Sequence, residues 1–158
     1  MMPLSSDAKY AVIAYLIEHK LTVATAESCT AGLIAAALGD VPGVSEIFCE
    51  GFVTYSNAAK EKHLGVPASM LEAYGAVSPQ VAQAMAEGVC RKTGAKIGIS
   101  ATGIAGPGGG TIDKPVGLVY IGVCIDGVAT VRRCEFSGNR AQVRAQTVLA
   151  AFDEIGVR

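Results

Sequence analysis

Residues 25–32, with the sequence Thr25-Ala26-Glu27-Ser28-Cys29-Thr30-Ala31-Gly32, decide how this chain folds and where its chemistry lies. Before this stretch, Leu21 to Ala26 contains valine and two threonines and predicts a short strand. After it, Gly32 to Leu38 is rich in alanine and predicts a short, mostly buried helix. Ser28, Cys29 and Thr30 are therefore expected on the turn between the carboxyl end of a strand and the N-terminus of a helix.

Such a turn can present a nucleophile to a bound ligand. Open α/β sheets bind ligands outside the carboxyl ends of their strands. The helix N-terminus adds free backbone N–H groups and about half a positive charge, which stabilise an anion or an oxyanion. Ser28 and Cys29 are both candidate nucleophiles, because a thiolate at a helix N-terminus is as plausible as an activated serine. The structural alternative is that Ser28 only caps the helix.

Helices and strands are expected to alternate along the rest of the chain, with a hairpin near its end. Ser78-Pro79 is a helix start, and Asp126-Gly127 is a two-residue hairpin signal. Asn139, with Gln142 three residues later, predicts the start of the last helix. We therefore expect an α/β fold with a mixed sheet and helices on both faces. The other expected helices are 6–20, 58–64, 69–74 and 79–93, and the other strands are 47–55, 96–102, 116–125 and 128–136.

The composition indicates one domain, residues 1–158, with a sizeable core. The hydrophobic fraction is 51%, yet the longest apolar runs are too short to cross a bilayer. The net charge is −1 and no basic block occurs, which argues against nucleic-acid binding. Five scattered cysteines and two histidines give no metal-ligand spacing. Because residues 1–3 show no export signal, we expect a cytoplasmic, reduced protein that binds no membrane.

A glycine-rich loop and two arginines could bind an anion. Residues Gly103 to Gly110 follow a predicted strand but match neither a P-loop nor a dinucleotide fingerprint. Without bulky side chains, this loop lets backbone amides approach a ligand, although it could also be only a flexible connection. Arg140 and Arg144 lie one helical turn apart near a helix N-terminus and could clamp a phosphate or carboxylate. A solvated basic face is the alternative.

Tyr55 and Lys60 follow the end of the second predicted strand. If that strand is parallel to the first and next to it, both side chains reach the sheet edge that carries Ser28. A lysine can act as the general base for a serine when burial and neighbouring charges lower its pKa. Most lysines in such positions are simply solvated, so the residues alone leave both interpretations open.

Five sequence blocks carry a resemblance to a known family. They are Ala26-Glu27-Ser28-Cys29-Thr30, Gly51-Phe52-Val53-Thr54-Tyr55-Ser56-Asn57 with Lys60, Gly75-Ala76-Val77-Ser78, Thr102-Gly103-Ile104-Ala105-Gly106-Pro107, and Lys114-Pro115-Val116-Gly117. Their order and spacing, over about Leu21 to Arg144, resemble the CinA C-terminal domain family. Its characterised activity is nicotinamide-nucleotide amidase. The chain resembles the stand-alone form of the family, but Ala31 replaces the first glycine of the Gly-Gly that usually follows Ser-Cys-Thr.

The resemblance implies a three-layer α/β/α sandwich with a five-stranded mixed sheet. It also implies hydrolysis of the carboxamide of nicotinamide mononucleotide to nicotinate mononucleotide and ammonia. The mechanism would use a Ser/Lys pair, without metal or cofactor. By this resemblance Ser28 is the nucleophile, Lys60 its base and Tyr55 a supporting hydrogen-bond partner. Backbone amides of the alanine-rich helix would stabilise the oxyanion.

The expected substrate-binding residues surround the nucleophile, and Arg140 with or without Arg144 would hold the substrate phosphate. A small-molecule nucleotide is the expected ligand, and the apolar composition suggests a homodimer. The alternative function is a non-catalytic nucleotide- or partner-binding module of the competence/damage-inducible type. The expected substrate-binding residues are Glu27, Cys29, Thr30, Asn57, Thr102, Gly103, Gly106, Arg140 and Arg144.

Overall fold

A five-stranded sheet forms the middle layer of the protein. The computed structural model describes residues 6–156. The strands are β1 (Val23–Glu27), β2 (Phe48–Val53), β3 (Ile97–Gly103), β4 (Leu118–Ile125) and β5 (Val128–Glu135). The helices are α1 (Ser6–Glu18), α2 (Leu33–Gly39), α3 (Asn57–Leu64), α4 (Ala68–Tyr74), α5 (Pro79–Thr93) and α6 (Arg140–Gly156), with a 3₁₀ turn at Val44–Glu46.

The strand order places the Ser28 turn at a topological switch point. The order across the sheet is β2-β1-β3-β4-β5. Strand β1 is parallel to both of its neighbours, β2 and β3, whereas β4 is antiparallel to both of its neighbours, β3 and β5. The carboxyl ends of β1, β2 and β3 therefore meet at one edge of the sheet. The chain leaves β1 for one neighbour and later returns to the other, which opens a crevice beyond the end of β1.

Two hydrophobic clusters cover the two faces of the sheet. On one face, residues of α1, α2 and α6 pack together, and Val23 of β1 belongs to this cluster. On the other face, residues of α3, α4 and α5 pack with Ala24 and Ala26 of the same strand. The alternation follows the two-residue period of a strand. The predicted α/β/α sandwich with a five-stranded mixed sheet is confirmed.

The capping and turn signals are also confirmed. The Ser78 hydroxyl accepts a hydrogen bond from the Val81 N–H at the start of α5. Residues Asn139 and Gln142 bond reciprocally through their side chains and backbone N–H groups at the start of α6. The hairpin turn after β4 has positive φ angles of 51° and 81° at residues 126 and 127, as such two-residue turns require.

Some element boundaries differ by one to two residues from those expected. The first strand begins at Val23 rather than Leu21 and extends to Glu27. The strand expected from Val116 begins at Leu118, because Gly117 still belongs to the preceding loop and donates its N–H to the Ile104 carbonyl.

Among residues 6–156, no helix combines the length and the apolarity that a membrane span requires.

Candidate active site

A pocket of about 290 Å³ lies at the edge where the carboxyl ends of β1 and β3 meet. Of the residues expected in the site, it brings together Ser28, Cys29, Tyr55, Thr102, Gly103, Gly106 and Arg140. The parallel pairing of β1 with β2 is what carries Tyr55 to this edge. The remaining lining residues are Ala76, Val77, Ile104, Ala105, Gly108 and Gly109.

Lys60 lies behind the pocket and contacts the Ser28 hydroxyl. Its side chain is 0% exposed, which is unusual for a lysine. The Lys60 Nζ lies 3.1 Å from the Ser28 Oγ, 2.7 Å from the Thr54 carbonyl oxygen and 3.2 Å from the Tyr55 carbonyl oxygen. Helix α3 begins just after these two carbonyls, and its first turn points Lys60 back towards them.

The three contacts of Lys60 suit a general base. Burial lowers the pKa of the Lys60 ammonium from 10.5 to about 8. A neutral amine has two N–H donors and one lone pair. In the ammonium form, Lys60 donates to the Ser28 hydroxyl and to the Thr54 and Tyr55 carbonyls. Once the amine is neutral, the two carbonyls can accept both of its N–H groups, and the lone pair is left for the proton of Ser28. The solvated lysine that the sequence left open is therefore wrong.

Cys29 lines the same pocket but is poorly suited to be the nucleophile. Its side chain is buried, and burial raises the pKa of the thiol from 9.0 to about 11. At neutral pH the thiolate, which is the reactive form, is scarce. The geometry and the electrostatics both favour Ser28, whereas the sequence alone left Ser28 and Cys29 open.

Arg140 joins two parts of the pocket wall. Its Nη2 donates to the Tyr55 phenol oxygen at 3.0 Å, and its Nη1 donates to the Gly106 carbonyl at 2.7 Å. The Tyr55 side chain is 55% exposed, so this bridge lies at the pocket mouth. Arg140 is thus a cation placed at the opening, where it can meet an anionic group of a ligand.

The base of the glycine-rich loop is anchored to the sheet. The Ile104 N–H donates to the Leu118 carbonyl at 2.9 Å, and the Thr102 hydroxyl donates to the Ala76 carbonyl at 2.9 Å. Only glycine fits at position 103, because a Cβ there would lie 2.7 Å from the Leu118 carbonyl oxygen. Residues 102–104, at the base of the loop, are therefore held against the sheet and against the segment before α5.

Glu27, and not Ser28, caps the N-terminus of α2. The two Glu27 carboxylate oxygens accept hydrogen bonds from the N–H groups of Ile34 (2.8 Å) and Ala35 (3.0 Å). The Ala36 N–H donates to the Gly32 carbonyl, and the Leu33 N–H donates to the Thr30 carbonyl. Two expectations are therefore wrong: Ser28 does not cap this helix, and the α2 N–H groups are not free to bind an oxyanion. Glu27 has this capping role rather than a place in the pocket.

We expect Glu27→Gln to destabilise the fold without changing substrate affinity. The amide keeps one acceptor oxygen but turns an NH₂ group towards an α2 N–H, which loses a charge-assisted hydrogen bond in a buried site. The expected loss in free energy of unfolding is about 1–3 kcal/mol. Urea denaturation measures this loss. An unchanged unfolding curve together with a raised KM would instead show that Glu27 binds substrate.

Three other expected substrate-binding residues do not line the pocket. Thr30 is fully buried under the turn. Asn57 is exposed as the first residue of α3, where Ser56 provides the cap. Arg144 donates from its Nε to the Cys29 carbonyl and from its Nη2 to the Thr30 carbonyl, both at 3.1 Å. The expected phosphate clamp of two arginines is therefore reduced to Arg140, since Arg144 binds the protein's own backbone.

Ala31 adopts a left-handed backbone conformation with φ of 48°. This conformation costs a residue with a Cβ more than it costs glycine. We therefore expect Ala31→Gly to raise the free energy of unfolding by about 0.5–1 kcal/mol, after the greater chain entropy of glycine is subtracted. Thermal denaturation of the two proteins measures the difference. A lower midpoint in the glycine variant would contradict this account of the turn.

Sequence reasoning missed part of the pocket wall. Ala76 and Val77 line it, and their signals were one of the five family blocks and their position just before the Ser78-Pro79 helix start. The carbonyls of Thr54 and Tyr55, which hold Lys60, had no signal because a backbone group has no sequence signature. Within residues 6–156, no group of three or more His, Cys, Asp or Glu side chains is placed to hold a metal ion.

The protein resembles a set of bacterial relatives. Over 138 residues, or 87% of this chain, it is 54% identical to a competence-damage inducible protein of Clostridium perfringens. Over 142 residues, or 90% of the chain, it is 55% identical to one of Clostridium acetobutylicum. The matched region is 34% of each relative, so the chain spans about a third of the length of these curated proteins.

Solved structures and a family model show the same similarity. The crystal structure of a competence/damage inducible protein from Agrobacterium tumefaciens superposes with a TM-score of 0.93 and 37% identity, and covers 99% of this chain and 98% of that one. A corresponding Klebsiella pneumoniae protein gives a TM-score of 0.92 and 33% identity, with 97% and 95% coverage. The family model described as CinA C-terminal domain matches residues 6–157. The chain belongs to the CinA C-terminal domain family.

Proposed function

We propose that this protein is an amidase that hydrolyses the carboxamide of nicotinamide mononucleotide to nicotinate mononucleotide and ammonia. The observation that carries the proposal is the 3.1 Å contact between the buried Lys60 amine and the Ser28 hydroxyl at the floor of the pocket. A buried lysine with a lowered pKa beside a serine is a recognised way to activate that serine as a nucleophile. The resemblance described above supplies the substrate.

The reaction runs through an acyl-enzyme. Ser28 Oγ attacks the amide carbon while the neutral Lys60 amine takes its proton, which gives a tetrahedral oxyanion. The C–N bond then breaks, and Lys60 returns the proton to the departing ammonia. A water molecule attacks the resulting Ser28 ester, again with Lys60 as base, and Ser28 is released with its proton restored. The product is a carboxylate in place of the carboxamide.

The pocket offers matching environments for the parts of this substrate. Ala76, Val77 and Ile104 provide an apolar wall for the pyridinium ring beside Ser28. Arg140 at the mouth provides a cation for the phosphate, which is furthest from the reacting amide. A pocket of about 290 Å³ is small for the whole nucleotide, so the phosphate end extends towards solvent.

Ammonia release from nicotinamide mononucleotide by the purified protein tests the proposal. We expect one ammonia and one nicotinate mononucleotide per turnover. Nicotinamide riboside, which lacks the phosphate, should react with a higher KM because it cannot meet Arg140. Binding of the nucleotide without ammonia release would favour the alternative, a non-catalytic binding module.

A further inference from the structure

The Ser28 turn is held by an arginine that does not reach the pocket. Arg144 lies on α6, one helical turn after Arg140. Its Nε and Nη2 donate to two consecutive carbonyls, those of Cys29 and Thr30, each at 3.1 Å. A guanidinium group suits this arrangement because its N–H donors have a fixed planar geometry. Helix α6 therefore contributes two arginines with different tasks.

The two peptide groups that flank the Cys29 α-carbon are both fixed. The Ser28 carbonyl accepts a hydrogen bond from the Ala31 N–H at 3.0 Å, and the Ser28 N–H donates to the Ala101 carbonyl at 2.9 Å. On the other side, Arg144 holds the Cys29 carbonyl. Because peptide groups are planar and trans, the Cys29 N–H points opposite to the Ser28 carbonyl and away from the interior of the turn.

The Cys29 N–H lies beside the nucleophile and contacts the Sγ of its own side chain. It donates to no other residue within the described range 6–156. Ser28 and Cys29 both line the pocket. The N–H groups of α2 are already occupied by Glu27 and by backbone carbonyls, so they cannot take the negative charge that develops during attack. The N–H of Cys29, the residue after the nucleophile, therefore remains as a donor that the oxyanion can use.

We propose that Arg144 is a positioning residue that, through its two hydrogen bonds to the Cys29 and Thr30 carbonyls, orients the Cys29 N–H towards the oxyanion formed on attack by Ser28. This inference rests on the amidase function proposed above. Oxyanion stabilisation depends on donors that are already oriented before the reaction. Loss of the guanidinium frees the turn to adopt other conformations, which weakens transition-state binding while leaving ground-state substrate binding intact.

Steady-state kinetics of Arg144→Met and Arg144→Lys test the proposal. We expect kcat for nicotinamide mononucleotide to fall about 10- to 100-fold in the methionine variant, with KM changed less than about twofold. The kcat of Arg144→Lys should lie between that of Arg144→Met and that of the wild type, because an ammonium group cannot span both carbonyls with fixed geometry. The same fold-loss of kcat is expected with nicotinamide riboside, since Arg144 does not contact the phosphate.

Two matched variants separate positioning from other roles. Arg140→Met removes the arginine at the pocket mouth and should raise KM for the nucleotide but not for the riboside. Arg132→Met removes an arginine paired with Asp153 and Glu154, away from the site, and should lower stability while leaving kcat unchanged. A raised KM with unchanged kcat in Arg144→Met would show that Arg144 binds the phosphate and would overturn the proposal. A lower melting temperature with unchanged kcat would show a purely structural role and would also overturn it.

Amide hydrogen exchange of residues 28–32 provides a readout that needs no turnover. We expect faster exchange in Arg144→Met than in the wild type or in Arg132→Met, because the turn loses its two hydrogen bonds from Arg144. If the wild type releases no ammonia, the amidase function fails, and exchange alone decides whether Arg144 orders this turn. Unchanged exchange would overturn the proposal in either case.

Discussion

Ser28→Ala is expected to lower ammonia release from nicotinamide mononucleotide on the order of 10⁴–10⁶-fold. Deletion of the nucleophile costs serine hydrolases this much, because only transition-state binding without covalent catalysis remains. The variant should fold normally, since among residues 6–156 the Ser28 hydroxyl has only the 3.1 Å contact with Lys60 and a long 3.5 Å contact with the Tyr55 carbonyl. Ammonia release, thermal denaturation and nucleotide binding are measured together.

Cys29→Ala is the matched variant for this experiment. It removes the neighbouring thiol but keeps the backbone N–H, so most of the turnover should remain. If Cys29→Ala is inactive while Ser28→Ala turns over normally, Cys29 is the nucleophile and the proposed mechanism is wrong. If nucleotide binding persists and neither the wild type nor either variant releases ammonia, the protein is a binding module.

Lys60→Met is expected to lower kcat about 10²–10⁴-fold, the range contributed by a positioned general base. Methionine has a similar shape and no proton-accepting nitrogen, so the pocket keeps its form. Lys60→Arg should be equally inactive, because a guanidinium group stays protonated at any working pH. Lys62→Met, an exposed lysine on the same helix, is the control and should keep full turnover. Full activity in Lys60→Met would exclude Lys60 as the base.

The pH dependence follows from the lowered pKa of Lys60. Only the neutral amine can take the proton of Ser28, so kcat/KM should rise with pH and level off above a pKa of about 8. The ascending limb should disappear in the residual activity of Lys60→Met. A kcat/KM that is flat between pH 6 and pH 9 in the wild type would contradict this role.

The buried Lys60 also lowers the stability of the folded protein at neutral pH. The pKa of Lys60 is about 8 in the fold, compared with 10.5 for a solvated lysine, so the ammonium is disfavoured in the folded protein. This cost is complete below pH 8 and disappears between pH 8 and pH 10.5, where the folded state loses its proton before the unfolded state does. It amounts to about 3 kcal/mol, partly offset by the two carbonyls that Lys60 satisfies.

Lys60→Met should therefore be at least as stable as the wild type at pH 7. Its stability advantage should shrink as the pH rises from 8 to 10.5, because the wild type gains stability over that interval. Urea denaturation at several pH values measures the difference. A variant that is much less stable at pH 7 would show that the hydrogen bonds of Lys60 outweigh the cost of its buried charge.

Local sequence signals predicted the elements well because each depends on a few adjacent residues. Ser78 with Pro79 fixed the start of α5, and the reciprocal bonds of Asn139 and Gln142 fixed the start of α6. The structure brings Ser28, Tyr55 and Arg140 together in one pocket and places Lys60 against Ser28, and the roles of these residues stay predictions.

The roles of residues that depend on where the side chain points were predicted less well. Glu27 and Arg144 were expected to bind substrate, but each binds backbone groups of the same turn from a different side. Glu27 precedes the nucleophile in the sequence, and Arg144 lies one helical turn after Arg140. Because both are charged, no local sequence pattern shows whether such a side chain binds a ligand or the protein's own backbone. The alternation of side chains along β1 places Glu27 on the face of the sheet that α2 covers. The packing of α6 places Arg144 beside the carbonyls of the Ser28 turn.

The sequence by itself determined the α/β fold, the turn that carries Ser28 and the set of residue types available for catalysis, because strand and helix periods and capping motifs are local properties. The tertiary structure alone decided which charged groups reach Ser28 or the pocket and which bind backbone groups of the turn. It buried Lys60 against the Thr54 and Tyr55 carbonyls, raised the pKa of Cys29 and occupied the N–H groups of α2 with Glu27. The physical reason is that burial and hydrogen-bond direction depend on elements distant in the chain, such as α3 against β1 and α6 against the turn.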